Sequence, residues 1–175
     1  MIQIKDKQFI SFIPEQDLQF RVSQLGQQIT QDYRDKAPLI IGVMNGAFMF
    51  LADLSKHIDI PVEVSFVKVS SYESMSSSGT IKPLIGLESE IMGRDVIIVE
   101  DIVDTGLSMA YILEKVVDRG PKSIEVATLL LKPESLRNAI SLKYVGFEIP
   151  DKFVVGYGMD YNGYGRNLKE IYQVI

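Results

Sequence analysis

The sequence predicts an α/β fold with a mainly parallel central sheet flanked by helices. Three apolar runs, at residues 39–43, 96–99 and 124–131, have the length and bounding turn residues of buried strands. Segments with the apolar spacing of helices separate them, and such an alternation is typical of parallel sheets. With 175 residues and no internal repeat or dividing linker, the chain is expected to form one domain, residues 1–175.

The first half of the chain contains three of the predicted strands. Residues 9–13 are predicted as a short strand, after which Pro14 opens a helix. The apolar residues of that helix recur at helical spacing, at Leu18, Val22, Leu25 and Ile29. The strand at 39–43 leads through an Asn45-Gly46 turn into a helix that ends at about Lys56, and residues 62–69 form the next strand.

The second half repeats this order. The strand at 96–99 precedes a helix whose apolar stripe consists of Met109, Ile112, Leu113, Val116 and Val117. Gly120 and Pro121 stop that helix, because both residues are favoured beyond a helix end. A strand follows at 124–131, and residues 153–155 are predicted as the last strand.

Composition excludes several classes of site. Without cysteine the chain has no disulfide or thiolate chemistry, and with His57 as its one histidine it lacks a histidine-rich zinc site. The net charge of −5 argues against a broad nucleic-acid-binding surface. The most apolar window, residues 39–54, is broken by polar residues, and no signal peptide opens the chain. We therefore expect a cytoplasmic protein that binds neither membranes nor nucleic acid.

The stretch 96–109, VIIVEDIVDTGLSM, is the most informative part of the sequence. Two carboxylates, Glu100 and Asp101, follow the buried strand, and a polar turn at 104–108 then leads into a helix. Ligands of parallel α/β sheets bind at this end of a strand, where helix amides receive phosphate. The combination favours a ligand with a phosphate, sugar hydroxyls and a divalent ion, although an ordinary helix-capping turn beside a solvated acidic loop has the same local pattern.

This EDIVDTG motif resembles the signature of type I phosphoribosyltransferases. Four further blocks resemble the hypoxanthine-guanine branch of that family, and they lie at residues 43–54, 70–82, 129–136 and 145–166. The resemblance implies the fold of that family, in which the chain termini build a small hood. It also implies purine salvage: 5-phosphoribosyl 1-pyrophosphate (PRPP) and hypoxanthine or guanine give IMP or GMP and pyrophosphate, with Mg²⁺ as cofactor and a homodimer or homotetramer as assembly.

The resemblance also implies which residues bind PRPP. Those expected to hold its ribose 5-phosphate are Glu100, Asp101, Asp104, Thr105, Gly106, Leu107 and Ser108. The acidic pair accepts ribose hydroxyls and favours positive charge on the ring, and Asp104 matches the family's proposed general base. Pyrophosphate is assigned to Asn45, Gly46 and Arg166, and Mg²⁺ to Asp160, Glu100 and Asp101.

The purine is assigned to Lys132, Phe153, Val154 and Asp160. Lys132 matches the lysine that donates to the 6-oxo group, a contact that disfavours adenine. Phe153 matches the aromatic residue that stacks on the base, and Val154 offers backbone groups to its edge. Without the resemblance, a strand-end lysine in water and an ordinary core phenylalanine remain open as interpretations.

Two further features follow from the resemblance. The segment at about 70–82, with Ser71 and Tyr72, matches a mobile lid that excludes water. The peptide bond before Asn45 can be cis in the family, and Asn45 and Leu107 stand where some relatives have lysine. Two alternatives stay open: a nucleotide-sensing regulator on the same fold, and a transferase for another base, of which xanthine is the least disfavoured.

Overall fold

The computed structural model describes residues 1–69, 86–87 and 89–175. The predicted lid, with Ser71 and Tyr72, lies outside these residues. Within the described part, the helices are α1 (Glu15–Asp32), α2 (Phe48–Lys56) and α3 (Leu107–Val117). The strands are β1 (Ile2–Ile4), β2 (Lys7–Ile13), β3 (Leu39–Met44), β4 (Glu63–Lys68), β5 (Asp95–Val103), β6 (Ser123–Leu131), β7 (Tyr144–Glu148), β8 (Val154–Val155) and β9 (Ile171–Val174).

The central sheet has the strand order β4-β3-β5-β6-β7, and neighbouring strands pair in parallel. Successive residues of β5 pack on opposite faces: Ile97 and Val99 join the core beneath α1 and α2, whereas Val96 and Ile98 join the core beneath α3. Because both faces are covered, β5 is apolar on both faces from Val96 to Val99, as the sequence indicated. The predicted mainly parallel α/β fold is confirmed.

A second, antiparallel sheet has the order β1-β2-β9-β8 and joins the two ends of the chain. It is the predicted hood. Three strands were missed: β1, β7 and β9. The prediction that residues 153–155 form the last strand is therefore wrong, because β9 follows and pairs with both β2 and β8.

The predicted end of the strand at Val99 is also wrong. Strand β5 continues through the two carboxylates to Val103, because Ile102 and Val103 remain paired with Leu130 and Leu131 of β6. The acidic pair therefore lies on a strand of the rigid sheet rather than on a loop. None of the described helices has the length and apolar character needed to cross a membrane.

Candidate active site

A cleft of about 420 Å³ opens where β3, β5 and β6 end. Parallel strands bring their carboxyl ends to one edge of the sheet, so residues far apart in sequence meet there. Twelve predicted site residues line this cleft: Gly46, Glu100, Asp101, Asp104, Thr105, Gly106, Ser108, Lys132, Phe153, Val154, Asp160 and Arg166.

Of the predicted site residues that the structure describes, two are not among those lining the cleft. Leu107 begins α3 and is half exposed, and Asn45 lies in the turn between β3 and α2. The Met44–Asn45 peptide bond is cis, as the family resemblance implied. Asn45 thus lies in sequence between Met44 and Gly46, which both line the cleft, and is not itself among the lining residues.

The acidic pair is held tightly by its surroundings. Glu100 is buried, and this burial, together with the negative charge of neighbouring Asp101, raises the pKa of its carboxyl group well above the usual range. The carboxylate of Asp101 accepts a 2.8 Å hydrogen bond from the amide of Ile102. It also packs directly on Gly46, where a β-carbon would overlap its Oδ2 atom. The strand-borne acids and the β3–α2 turn therefore form one wall.

The turn at residues 104–108 places a helix N-terminus in the cleft. Gly106, with φ of +80°, is the residue before α3, and a β-carbon there would lie 2.8 Å from Ile140 Cδ1. The hydroxyl of Thr105 accepts from the amide of Leu107 at 3.4 Å. First-turn amides lack intrahelical acceptors, so this turn presents N–H groups and a positive dipole end to an anion.

Lys132 follows the last residue of β6 and is 7% exposed. Its ammonium group lies 3.0 Å from Oδ2 of Asp104 and 3.0 Å from Oδ1 of Asp151. Burial opposes the charge, but the hydrogen bonds to both carboxylates outweigh it, and the pKa of Lys132 is raised. A buried cation of fixed direction at the cleft is well placed to donate to a ligand oxygen.

Sequence reasoning missed Asp151. It lies in an exposed Pro-Asp-Lys turn, 19 residues from Lys132, and local pattern gives an acid in such a turn no role. Lys132, a cation at the end of a buried strand, needed an acidic partner that the local pattern did not identify. Folding brings Asp151 within hydrogen-bonding distance of it.

Phe153 stands at the other side of the cleft, on the hood. Its ring is 43% exposed, and it meets the edge of Tyr161 at 5.7 Å and the buried ring of Phe9 at 6.4 Å between centroids. Val154, beside it, is buried in β8. A partly exposed aromatic ring held by contacts with two other rings suits a flat apolar ligand.

Asp160 and Arg166 form an ion pair of 2.7 Å. The other oxygen of Asp160 accepts a 2.6 Å hydrogen bond from the amide of Gly163, and Arg166 donates to the carbonyl of Gly158 at 2.7 Å. The loop 156–166 thus holds these two predicted residues in a fixed arrangement.

The donor set suits a hard cation that arrives with a ligand. In the described ranges no three His, Cys, Asp or Glu side chains cluster closely enough to hold a metal alone. Glu100, Asp101 and Asp160 nevertheless offer oxygen atoms at one cleft. Mg²⁺ in nucleotide sites commonly uses one or two carboxylates with water and substrate phosphates, so these residues fit that ion.

The family model for the phosphoribosyl transferase domain matches residues 14–162. Among curated proteins, the hypoxanthine-guanine phosphoribosyltransferase of Bacillus subtilis is 48% identical over 160 residues, which cover 91% of this chain and 89% of that protein. The enzyme of the same name from Aquifex aeolicus is 42% identical and covers 99% of each chain.

The fold is also similar to solved structures. A hypoxanthine-guanine phosphoribosyltransferase from Bacillus anthracis superposes with a TM-score of 0.88 at 37% identity, covering 97% of this chain and 98% of that one. The similarity includes both sheets, because nearly the whole of each chain is matched.

Proposed function

The chain belongs to the phosphoribosyltransferase family, in its hypoxanthine-guanine branch, and we propose that it moves the 5-phosphoribosyl group of PRPP to hypoxanthine and guanine. This is a reaction of purine salvage, with IMP or GMP and pyrophosphate as products. One observation carries the proposal: a single cleft joins an anion-binding helix end, an acidic pair, a buried lysine and an exposed aromatic ring. Each matches one part of the substrate pair.

PRPP is proposed to bind along β5 and the turn after it. Amides and hydroxyls of Thr105, Gly106 and Ser108 receive the 5′-phosphate at the N-terminus of α3. Glu100 and Asp101 accept the ribose hydroxyls, and their negative charge favours the positive charge that develops on the ring as pyrophosphate leaves. Their place on a strand means that little reorganisation is needed in the transition state.

The purine is proposed to stack on Phe153, with its 6-oxo group toward Lys132. The Lys132 ammonium has three donors and two carboxylate partners, so one N–H remains for the base. Adenine presents an amino group there and would leave that donor unsatisfied. Asp104 is then the acid-base residue: as a purine nitrogen bonds to the ribose carbon and pyrophosphate departs, Asp104 accepts or shares the proton at N7.

Pyrophosphate is proposed to lie between the β3–α2 turn and the loop that carries Arg166. Backbone groups at Asn45 and Gly46 and the Arg166 guanidinium supply donors to its oxygens. When bound, Mg²⁺ would neutralise pyrophosphate charge, held by Asp160 or the acidic pair. Four other expectations stay predictions: the cytoplasmic location, the single domain of residues 1–175, the lid with Ser71 and Tyr72, and assembly as a homodimer or homotetramer.

An assay panel tests the function. The protein is incubated with PRPP and each of hypoxanthine, guanine, xanthine, adenine and uracil, with and without Mg²⁺, and nucleotide formation is followed. We expect IMP and GMP in the presence of Mg²⁺ and little product from adenine or uracil. Xanthine as the best substrate would move the chain to another branch of the family, and no turnover with any base would contradict the transferase proposal.

A further inference from the structure

Lys132 is held from two sides, and its second partner has no role in the reaction described above. Asp104 Oδ2 and Asp151 Oδ1 each lie 3.0 Å from its Nζ atom. The lysine side chain is 8% exposed, whereas that of Asp151 is 67% exposed. A buried ammonium on a flexible stem takes its direction from its acceptors, so Asp151 together with Asp104 sets where the third donor points.

The backbone around Asp151 connects the two sides of the purine pocket. The amide of Ile149 donates to the carbonyl of Leu131, next to Lys132, at 2.8 Å. Four residues further on, the carbonyl of Phe153 accepts from the amide of Val174 in the hood at 3.0 Å. Between these anchors, the side chain of Asp151 reaches back to Lys132. The ion pair therefore sets the position of the ammonium relative to the segment that carries the stacking ring.

Charge balance gives Asp151 a second effect. With Asp104 as its sole partner, the ammonium would place its whole charge on the proposed acid-base residue and could point its two remaining donors in several directions. With Asp151 present, the charge is shared between two carboxylates and two of the three donors are held, so the direction of the third is set. Asp104 then retains an oxygen for the purine nitrogen.

We propose that Asp151 is a positioning residue that aims Lys132 at the purine and leaves Asp104 available for proton transfer. The inference rests on the proposed function, and it adds a residue that governs affinity for the base but not for PRPP. Among the described residues, the acidic pair and the amides and hydroxyls of the 5′-phosphate turn make no ion pair or side-chain hydrogen bond with Asp151, and Asp104 is connected to it through Lys132.

The test compares Asp151→Ala and Asp151→Asn with the wild-type protein. We expect Asp151→Ala to raise the KM for hypoxanthine about tenfold, because a charge-assisted hydrogen bond to a buried partner is lost. The KM for PRPP should stay within about twofold. Asp151→Asn keeps an oxygen acceptor without the charge. Its KM for hypoxanthine should rise about threefold, between the values of the wild type and Asp151→Ala. Glu148→Ala, an exposed change at the end of β7, is the matched control and should resemble wild type.

A direct binding measurement separates positioning from general damage. IMP, which carries the base, should bind Asp151→Ala more weakly, whereas PRPP should bind as it does to the wild type. In a Lys132→Ala background, Asp151→Ala should add less than about twofold to the loss of IMP affinity, because the effect acts through the lysine.

Equal weakening of PRPP and IMP, or an additive loss in the Lys132→Ala background, would overturn the inference. So would an unchanged KM for hypoxanthine in Asp151→Ala. The wild-type assay keeps the two proposals apart. A wild-type protein without transferase activity contradicts the proposed function, whereas an active wild type with unaffected variants contradicts the role of Asp151 alone.

Discussion

Gly46 and Asp101 are in direct contact across the candidate site. A β-carbon on Gly46 would overlap the Oδ2 atom of Asp101, and a β-carbon on Gly158 would in turn overlap the carbonyl oxygen of Gly46. The β3–α2 turn is therefore sandwiched between the strand-borne acid and the loop 156–166. Groups proposed to bind ribose and pyrophosphate are fixed relative to one another by packing, and fixed positions of this kind favour reaction between bound groups.

Gly46→Ala should separate these groups. The added methyl group must displace either the Asp101 carboxylate or the turn, and a shift of about 1 Å at a reacting centre costs up to about 100-fold in rate. We expect kcat/KM for PRPP to fall by at least about tenfold, with IMP binding less affected, because IMP has no pyrophosphate. Steady-state kinetics and IMP titration measure both.

Gly93→Ala is the control for Gly46→Ala. Gly93, which does not line the cleft, has a φ of +70°, and no atom lies within 4 Å of the position that a β-carbon would take there, so alanine adds backbone strain without a clash. This variant should lose stability but keep its activity. Equal kinetic losses in the two variants would contradict the steric explanation.

Asp104→Asn should reduce kcat by about 10²- to 10⁴-fold, because an amide cannot accept the proton from the purine. The KM for PRPP should change little. Asp151 still holds Lys132 in this variant, so the pocket keeps its form. Asp118→Asn, at an exposed acid just after α3, serves as the control. Turnover of Asp104→Asn close to that of the wild type would remove Asp104 from the chemistry.

Glu100→Gln should make the protein more stable and less active. Because burial and the charge of Asp101 raise the pKa of Glu100 in the folded state, the ionised carboxylate destabilises the fold at neutral pH, where it is ionised in the unfolded chain. The stability gain of the variant should therefore be greatest above the folded-state pKa. It should shrink as the pH falls through the folded-state pKa, where the folded wild type takes up the proton, and be smallest below the ordinary carboxyl pKa, where the unfolded chain is protonated too. Urea denaturation across this range measures the gain, and a constant difference at all pH values would contradict the assignment.

The features best predicted from the sequence are those that depend on residues adjacent to one another along the chain. Buried β3, β5 and β6 are continuous apolar runs, and EDIVDTG places acids and a phosphate-binding turn side by side, so pattern alone located the centre of the cleft. The end of β5 was misplaced because Glu100 and Asp101 interrupt the apolar run, although the hydrogen-bonded ladder continues to Val103.

Long-range partners explain what pattern reasoning missed. Strand β9 contains four residues of mixed polarity, and its pairing with β2 joins Phe9 to Val174 across nearly the whole chain. Such a short half-buried strand has little intrinsic preference and forms because its partner is present. Asp151 was missed for the same reason, because its side chain meets Lys132 only in the folded protein.

Tyr157→Phe tests a buried contact behind the site. The phenol of Tyr157 donates to Oδ2 of Asp53 at 2.7 Å, and the ring is 1% exposed. Removing the hydroxyl should lower the free energy of unfolding by about 1–2 kcal/mol, measured by urea denaturation. Tyr164 is 60% exposed, so Tyr164→Phe should lower the free energy of unfolding by much less.

The contact between Tyr157 and Asp53 should also make the stability of the fold depend on pH. Burial raises the pKa of the Asp53 carboxyl, but its hydrogen bonds, from Lys56, Gln19 and Tyr157 in that order, lower it by more. A lowered folded-state pKa stabilises the fold above the unfolded-state pKa, and this contribution is lost as the pH falls through the folded-state value. The difference in the free energy of unfolding between the wild type and Tyr157→Phe should therefore become smaller at acidic pH. A difference that widens there would contradict this account.

Removal of Mg²⁺ should abolish activity without destabilising the free protein. The described side chains form no three-ligand cluster, so the ion is expected to bind together with PRPP, through its phosphate oxygens and one or two carboxylates. A chelator should then leave the melting temperature of the ligand-free protein unchanged. With PRPP present, Mg²⁺ should raise it, since a ligand at 100 times its Kd stabilises the folded state by about 2.7 kcal/mol. A fall in the melting temperature of the free protein on chelation would instead indicate a resident ion, and the acidic pair would then have to be an occupied metal site before substrate arrives.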